Sequence, residues 1–287
     1  HQQNIIPVVD TAIKQAKIKK SEIDLIAYTK GPGLLGSLLV GSSFAKSLSL
    51  GLNKPLVAVN HMKAHILAHF IDQENHTTPT FPFLCLTVSG GHTQIVIVKD
   101  HNDMQVIGTT IDDAAGEAFD KSAKVLGLKY PGGPMIDKYA KNGNINAFTF
   151  GKPKIKDLNF SFSGLKTSIL NQVNSSVMKN PNFINDNLND LCASIQHSII
   201  TILLEKVTKA ISQTNIKNIA IAGGVSANSY LRNELIKLSK KDNLNIYIPK
   251  FEYCTDNAAM IAIAGKFKYV NDETTDYSES ANARLSF

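Results

Sequence analysis

Leu56-Val57-Ala58-Val59-Asn60-His61-Met62-Lys63-Ala64-His65 joins an apolar run to a pair of histidines. The apolar run reads as a buried strand, and Ile66, Leu67, His69 and Phe70 continue as a helix. His61 and His65 then stand at i and i+4 on one helix face, close enough to share a metal ion. The zinc-protease signature follows its first histidine with a glutamate base. Met62 holds that position here, so protease chemistry has no local base. On spacing alone, two histidines that cap or pack a helix are the simpler reading.

Working outward, residues 25–29 read as a strand that turns through Gly31-Pro32-Gly33 and Gly36 into a helix over 37–52. Residues 5–19 form a helix before it, with Ile6, Val9, Ile13 and Ala16 as its stripe. The alternation of strands and helices implies an α/β layer. Downstream, residues 72–82 carry Pro79 and Pro82 and read as a loop and domain boundary. Strands over 83–88 and 93–98 flank Ser89-Gly90-Gly91-His92, a hairpin whose turn can aim backbone N–H groups at a phosphate. A further strand covers 104–110.

Asp112-Asp113 open a helix to about residue 126, with Ala115, Phe119, Ala123 and Leu126 as its stripe. Asp120 falls off that stripe and reads most simply as a surface partner of Lys121 or Lys124. Tyr130-Pro131-Gly132-Gly133-Pro134 turns into a helix with Asp137 in its first turn. The helix over 188–211 places Leu188, Leu191, Ile195, Ile199, Ile202 and Ile211 at core spacing. Residues 219–222 form a strand, and Gly223-Gly224 with Asn228 open a helix in a manner suited to a phosphate or sugar. After a strand at 246–248, Thr255-Asp256-Asn257 begin the last helix. Asp256 is either a helix-start acid or a carboxylate facing an ion. From Asn271 the chain is polar and reads as loose.

The 287 residues are 43% hydrophobic and 19% charged, an ordinary globular composition for one large or two smaller domains. No apolar run in the sequence approaches a membrane span, and no membrane partner is expected. Cys85, Cys192 and Cys254 lie far apart and suggest a reducing compartment without disulfides. The net charge of +6 is compatible with a polyanionic partner and equally with a generally basic enzyme.

Taken in order, seven segments resemble the tRNA adenosine threonylcarbamoyltransferase family, once described as glycoprotease. They are His61-Met62-Lys63-Ala64-His65, Val88-Ser89-Gly90-Gly91-His92-Thr93, Asp112 to Lys121, Tyr130 to Pro134, Phe162-Ser163-Gly164-Leu165-Lys166-Thr167, Ala222 to Asn228, and Cys254-Thr255-Asp256-Asn257-Ala258-Ala259-Met260. His92 makes the likeness closest to the bacterial and mitochondrial branch, so the expected location is the cytoplasm or the mitochondrion. The resemblance implies an actin, Hsp70 and sugar-kinase (ASKHA) type of fold, with two ribonuclease-H-like α/β lobes about a nucleotide cleft. The first lobe is expected over 1–82 with 265–287 returning to it, and the second over 83–264.

The resemblance further implies metal ligands at His61, His65 and Asp256, for one divalent ion, iron or zinc. It places substrate or nucleotide contacts at Thr87, Val88, Ser89, Gly90, Gly91, Asp120, Gly133, Asp137 and Asn228. The implied reaction moves threonylcarbamoyl from threonylcarbamoyl-AMP to N6 of the adenosine beside the anticodon, in tRNAs reading codons that begin with A. No residue is an obvious general base. Implied partners are tRNA and, in a bacterium, a paralogous subunit and a small ATPase. A lysine cluster, Lys152, Lys154 and Lys156, is a candidate tRNA surface.

The chain starts at His1, after the family's Asp-Thr-Ser-Cys strand turn, and ends Ala283-Arg284-Leu285-Ser286-Phe287 where the family has Arg-Trp-Pro-Leu. The expectation is a truncated first lobe, weakly stable alone. A non-catalytic scaffold or inactive fragment, and a kinase or ATPase of the same fold, are the alternatives. His61, His65 and Asp256 argue against a scaffold, and a kinase would not need the paired histidines, while the missing start of the first lobe keeps the inactive fragment open.

Overall fold

Two parallel strands, β1 (Ile26–Gly31) and β2 (Leu56–Asn60), pair from Ile26 opposite Leu56 to Thr29 opposite Val59. The computed structural model describes residues 1–72, 77–153 and 155–287. It divides into two compact units. One holds the described residues up to 72 together with Asp256–Phe287, and the other is Thr77–Thr255.

In the first unit, α1 (Ile5–Ala16) precedes β1, and α2 (Leu35–Leu52) links β1 to β2. Helix α2 buries Ser42, Ala45 and Ser49 and packs on β1. Contrary to the expectation from sequence, its 18 residues are long and apolar enough, by length and composition alone, to cross a membrane. It passes because it holds a single charged residue, Lys46, although serines and glycines fill much of the helix.

Helix α3 (His61–Leu67) leaves β2 directly, and α9 (Ala258–Val270) packs on α3, β1 and β2. Gly265 permits this approach, because a Cβ there would lie 2.5 Å from Ala27 Cβ. Phe70 and Phe267 meet edge to face at 5.8 Å.

The whole of α9 therefore belongs with the first unit, so the return falls at Asp256 rather than at residue 265. Residues 77–82 belong with the second unit, where the Asn218 amide donates to the carbonyls of Thr80 (3.1 Å) and Pro82 (3.3 Å). The tail after α9 is not loose. Thr275 N–H donates to Leu56 O (2.7 Å), Ala58 N–H to Thr275 Oγ1 (2.7 Å) and Asn282 N–H to Lys30 O (2.8 Å). Its residues are polar because they supply hydrogen bonds along the edges of β1 and β2.

The second unit is a five-stranded sheet in the order β5-β4-β3-β6-β7. β3 (Phe83–Val88), β4 (Thr93–Val98) and β5 (Met104–Thr109) are antiparallel, while β6 (Asn218–Ala222) and β7 (Asn245–Tyr247) run parallel to β3. Every residue of β3 is buried, as a central strand requires. Helices α4 (Ala115–Val125), α5 (Gly132–Ala140), α6 (Ser163–Lys179) and α7 (Phe183–Thr214) pack on one another. Helix α7 is longer than its apolar stripe, because the polar residues Asn185 to Asn187 continue the helix before the core positions begin. Leu191, Ile195, Ile199 and Ile202 are buried as their spacing predicts. Helix α8 (Ser229–Asp242) joins β6 to β7.

Asp112 and Asp113 precede α4 rather than forming its first turn. Asp112 accepts from Phe162 N–H (2.8 Å), and Asp113 pairs with Lys121 (2.9 Å) and Lys166 (3.0 Å). Burial pulls the Asp113 carboxyl upward, yet the two lysines outweigh it and hold the group below the ordinary 3.8. A depressed folded-state value contributes stability above the unfolded value, and that contribution is lost as pH falls through the folded one. Asp113→Asn should therefore lower the thermal midpoint at neutral pH and flatten its decline as the pH falls below the ordinary carboxylate range. Melting curves across that range check it, and an unchanged acid limb would contradict it.

Candidate functional site

The Asn60 side chain caps α3, accepting from Met62 N–H (2.9 Å) and Lys63 N–H (3.2 Å). Capping fixes where the helix starts, and so places His61 and His65 on one face. Asn257 caps α9 by accepting from Met260 N–H (2.9 Å), which leaves Asp256 just outside that helix. Because α3 packs on α9, the three residues meet. His61 Nε2 and His65 Nε2 lie 3.1 and 3.2 Å from one oxygen, Asp256 Oδ1.

His65 is 2% exposed, and its Nδ1 has no hydrogen-bond partner among the described residues, so Nε2 toward Asp256 is its one polar outlet. Hydrogen bonds from His61 and His65 hold the Asp256 carboxyl well below the usual carboxylate range. One ligand atom from each residue lies within 4.8 Å of the others. Two imidazole nitrogens and one carboxylate oxygen form a donor set that suits a borderline divalent metal. The residues fit the ion that the resemblance implies.

The second unit holds a separate set. Ser89 N–H donates to His92 O (2.8 Å), and His92 N–H donates back to Ser89 Oγ (3.1 Å), closing the hairpin turn. Gly116, at the start of α4, donates to Ser89 O (3.2 Å), and a Cβ there would lie 2.5 Å from that oxygen. Gly223, with φ of +86°, lies equally close to Val88 O. Two glycines thus press the ends of α4 and β6 onto the turn, while Gly90 and Gly91 face open space. Thr87 and Val88 are buried in β3.

Asp120 does not pair with a lysine: its Oδ1 accepts from Gly132 N–H at 2.7 Å, fixing the Tyr130–Pro134 turn against α4. Gly133 follows in α5 beside Phe119. Asp137 lies in the second turn of α5 and binds the N–H (3.3 Å) and Oγ (2.8 Å) of Ser229. Asn228 caps α8 through Leu231 N–H (2.9 Å) and donates to Gln196 Oε1 (2.6 Å). The structure brings Asp137 beside Asn228 through Ser229, and Asp120 beside Gly132.

Arg232 escaped the sequence reading. It donates to Ser226 O (2.7 Å), Pro249 O (2.9 Å) and Cys254 Sγ (3.1 Å), and lies 3.9 Å from the Phe251 ring centroid. It ties the turn after β6 to the segment that precedes Asp256. Its acceptors are scattered over the sequence, so no local pattern announces it. Of the lysine cluster, Lys152 pairs with Glu205 (3.3 Å), and Lys154 lies outside the described residues.

The class these features define is an α/β protein with a His-His-Asp set that could hold a metal ion and, separately, glycine-lined strand ends. A family model described as tRNA N6-adenosine threonylcarbamoyltransferase matches residues 1–263. Relatives of that name are 58% identical in Christiangramia forsetii (all of this chain, 84% of the relative) and 60% identical in Riemerella anatipestifer (99% and 83%). Two solved structures share the fold. Full-length HypF in a phosphate- and nucleotide-bound form has a TM-score of 0.62 at 15% identity, covering 92% of this chain and 41% of HypF. HypF of T. kodakarensis has 0.65 at 14%, covering 93% and 43%. The chain belongs to the tRNA N6-adenosine threonylcarbamoyltransferase family.

Proposed function

We propose that this chain transfers threonylcarbamoyl from threonylcarbamoyl-AMP to N6 of the adenosine adjacent to the anticodon in tRNA. The observation that carries this reading is identity of 58–60% to transferases of that name across essentially the whole chain, joined to the convergent His61-His65-Asp256 donor set. The adenosine amine attacks the carbamoyl carbon, a C–N bond forms, and the C–O bond to phosphate breaks. AMP leaves with the electron pair, and the amine proton passes to the departing phosphate or to water.

His61, His65 and Asp256 would hold a divalent ion, iron or zinc, which supplies positive charge to the oxygens of such an anhydride. Gly90 and Gly91 offer backbone N–H groups to the donor phosphate from a turn that Gly116 and Gly223 keep fixed. Asp120, Gly133, Asp137 and Asn228 serve the nucleoside end. A paralogous subunit and a small ATPase are the partners expected in a bacterium, with the cytoplasm as its site of action.

Two outcomes test this reading. Label from threonine-labelled threonylcarbamoyl-AMP should enter tRNA, and should not enter a transcript with guanosine at the target position. Release of ADP from ATP without tRNA would favour the kinase alternative instead. Gly90→Ala places its methyl where nothing lies within 4 Å, so the melting temperature should hold. Donor KM should nonetheless rise roughly tenfold, because the methyl would fill the open space in front of the turn and hold the phosphate off its N–H groups, weakening about one charge-assisted hydrogen bond. An unchanged KM would remove Gly90 from the donor site.

A further inference from the structure

Helix α4 ends in a Schellman motif: Leu128 N–H donates to Ala123 O (2.9 Å) and Gly127, at φ +73°, to Lys124 O (3.1 Å). The reversal folds Leu128 back on the helix and throws Lys129 and Tyr130 outward. Between this end and the Tyr130–Pro134 turn lies a cavity of about 240 Å³. Ala123 and Leu128 give it an apolar floor, and Lys124, Lys129 and Tyr130 stand around it. Tyr130 is 85% exposed, the ring of a large aromatic left in solvent.

The charges of the cavity are unequal in their freedom. Asp120, on its wall, already accepts from Gly132 N–H. Lys121 is held by Asp113 (2.9 Å) and Glu117 (2.7 Å). Among the described residues, neither Lys124 nor Lys129 has an ion-pair partner, unlike Lys152. An open aromatic face, an apolar floor and two uncommitted cations match an unstacked nucleotide, whose base stacks and whose phosphate pairs with ammonium groups.

We propose that this cavity receives one unstacked nucleotide of the tRNA substrate, with its base on Tyr130 and its phosphate between Lys124 and Lys129. The proposal rests on the transferase reading and adds to it a tRNA contact that adjoins the donor contacts at Asp120, whose carboxyl is already taken by Gly132 N–H.

The test measures binding of an unmodified tRNA transcript to the metal-loaded full chain by fluorescence anisotropy over a salt series. Binding of threonylcarbamoyl-AMP and thermal melting are measured beside it. Tyr130→Ala should weaken tRNA binding by roughly 5- to 150-fold, the range for loss of one base–aromatic stack. Tyr130→Phe should restore it. The double variant Lys124→Ala/Lys129→Ala should lower the slope of log affinity against log salt by about 0.7, one single-strand phosphate contact. Donor affinity and melting temperature should not move. Wild-type tRNA affinity and slope in these variants would overturn the proposal and leave the transferase reading standing. A loss of donor affinity in Tyr130→Ala would assign the cavity to the donor and likewise overturn it. A wild-type chain that neither binds nor modifies tRNA would overturn both.

Discussion

His65→Ala is expected to purify with about a tenth or less of the wild-type metal content, since even partners of a metal ligand are worth ten- to a hundredfold in affinity. Transfer to tRNA should fall by roughly 10²- to 10⁴-fold, the kinetic equivalent of the several kcal/mol a Lewis acid supplies. His65 is the innermost of the three donors, at 2% exposure, and its Nε2 shares Asp256 Oδ1 with His61. Removing it takes away one of the three convergent atoms and leaves a small gap in α3. His61→Ala separates the two effects, because His61 is 21% exposed and its loss costs less packing. Both variants should lose metal alike, while only His65→Ala should lose appreciable stability. Metal analysis of the purified chains, with melting curves alongside, reads the difference. Wild-type metal content in either would sink the assignment.

Gly223→Val should unfold with a stability lower by about 2–5 kcal/mol, combining the left-handed backbone penalty with overpacking of a filled site. The backbone at Gly223 has φ of +86°, and a Cβ there would meet Val88 O at 2.5 Å and Val88 C at 2.9 Å. These are backbone atoms of the buried central strand, so no side chain can swing aside. The strand end beside it is held by the pairing of Thr87 with Ala222, and any shift would move the Ser89–His92 turn. Gly224→Ala is the matched control, since nothing lies within 4 Å of its added methyl. Urea titration should place Gly224→Ala within about 0.5 kcal/mol of wild type. Equal stabilities for Gly223→Val and Gly224→Ala would show that the close approach is not required.

The same contrast explains what could be read from the sequence. The step from β2 to α3 and the β3–β4 hairpin rest on local signals, an apolar run before helical spacing and Gly-Gly between two strands. Both appear where the sequence places them. The i and i+4 histidines were legible, but the third donor comes from 191 residues away and needed the resemblance to join them. Asp112 and Asp113 read locally as helix-dipole acids. Apart from Lys121, which pairs with Asp113, their partners Phe162, Lys166 and Ser161 lie about fifty residues on. Arg232, two of whose acceptors, Pro249 and Cys254, lie well down the chain, and the tail beyond α9, whose partners lie in β1 and β2, were missed for the same reason. Residues whose role is a long-range hydrogen bond carry no periodicity, whereas core stripes such as Leu191, Ile195 and Ile199 do.

The most direct test is mass spectrometry of tRNA nucleosides from cells depleted of the gene for this chain, then complemented with wild type or with His61→Ala. The transferase account predicts that threonylcarbamoyladenosine falls on depletion, returns with wild type and stays low with His61→Ala. An unchanged nucleoside level after depletion, or full recovery with His61→Ala, would contradict it.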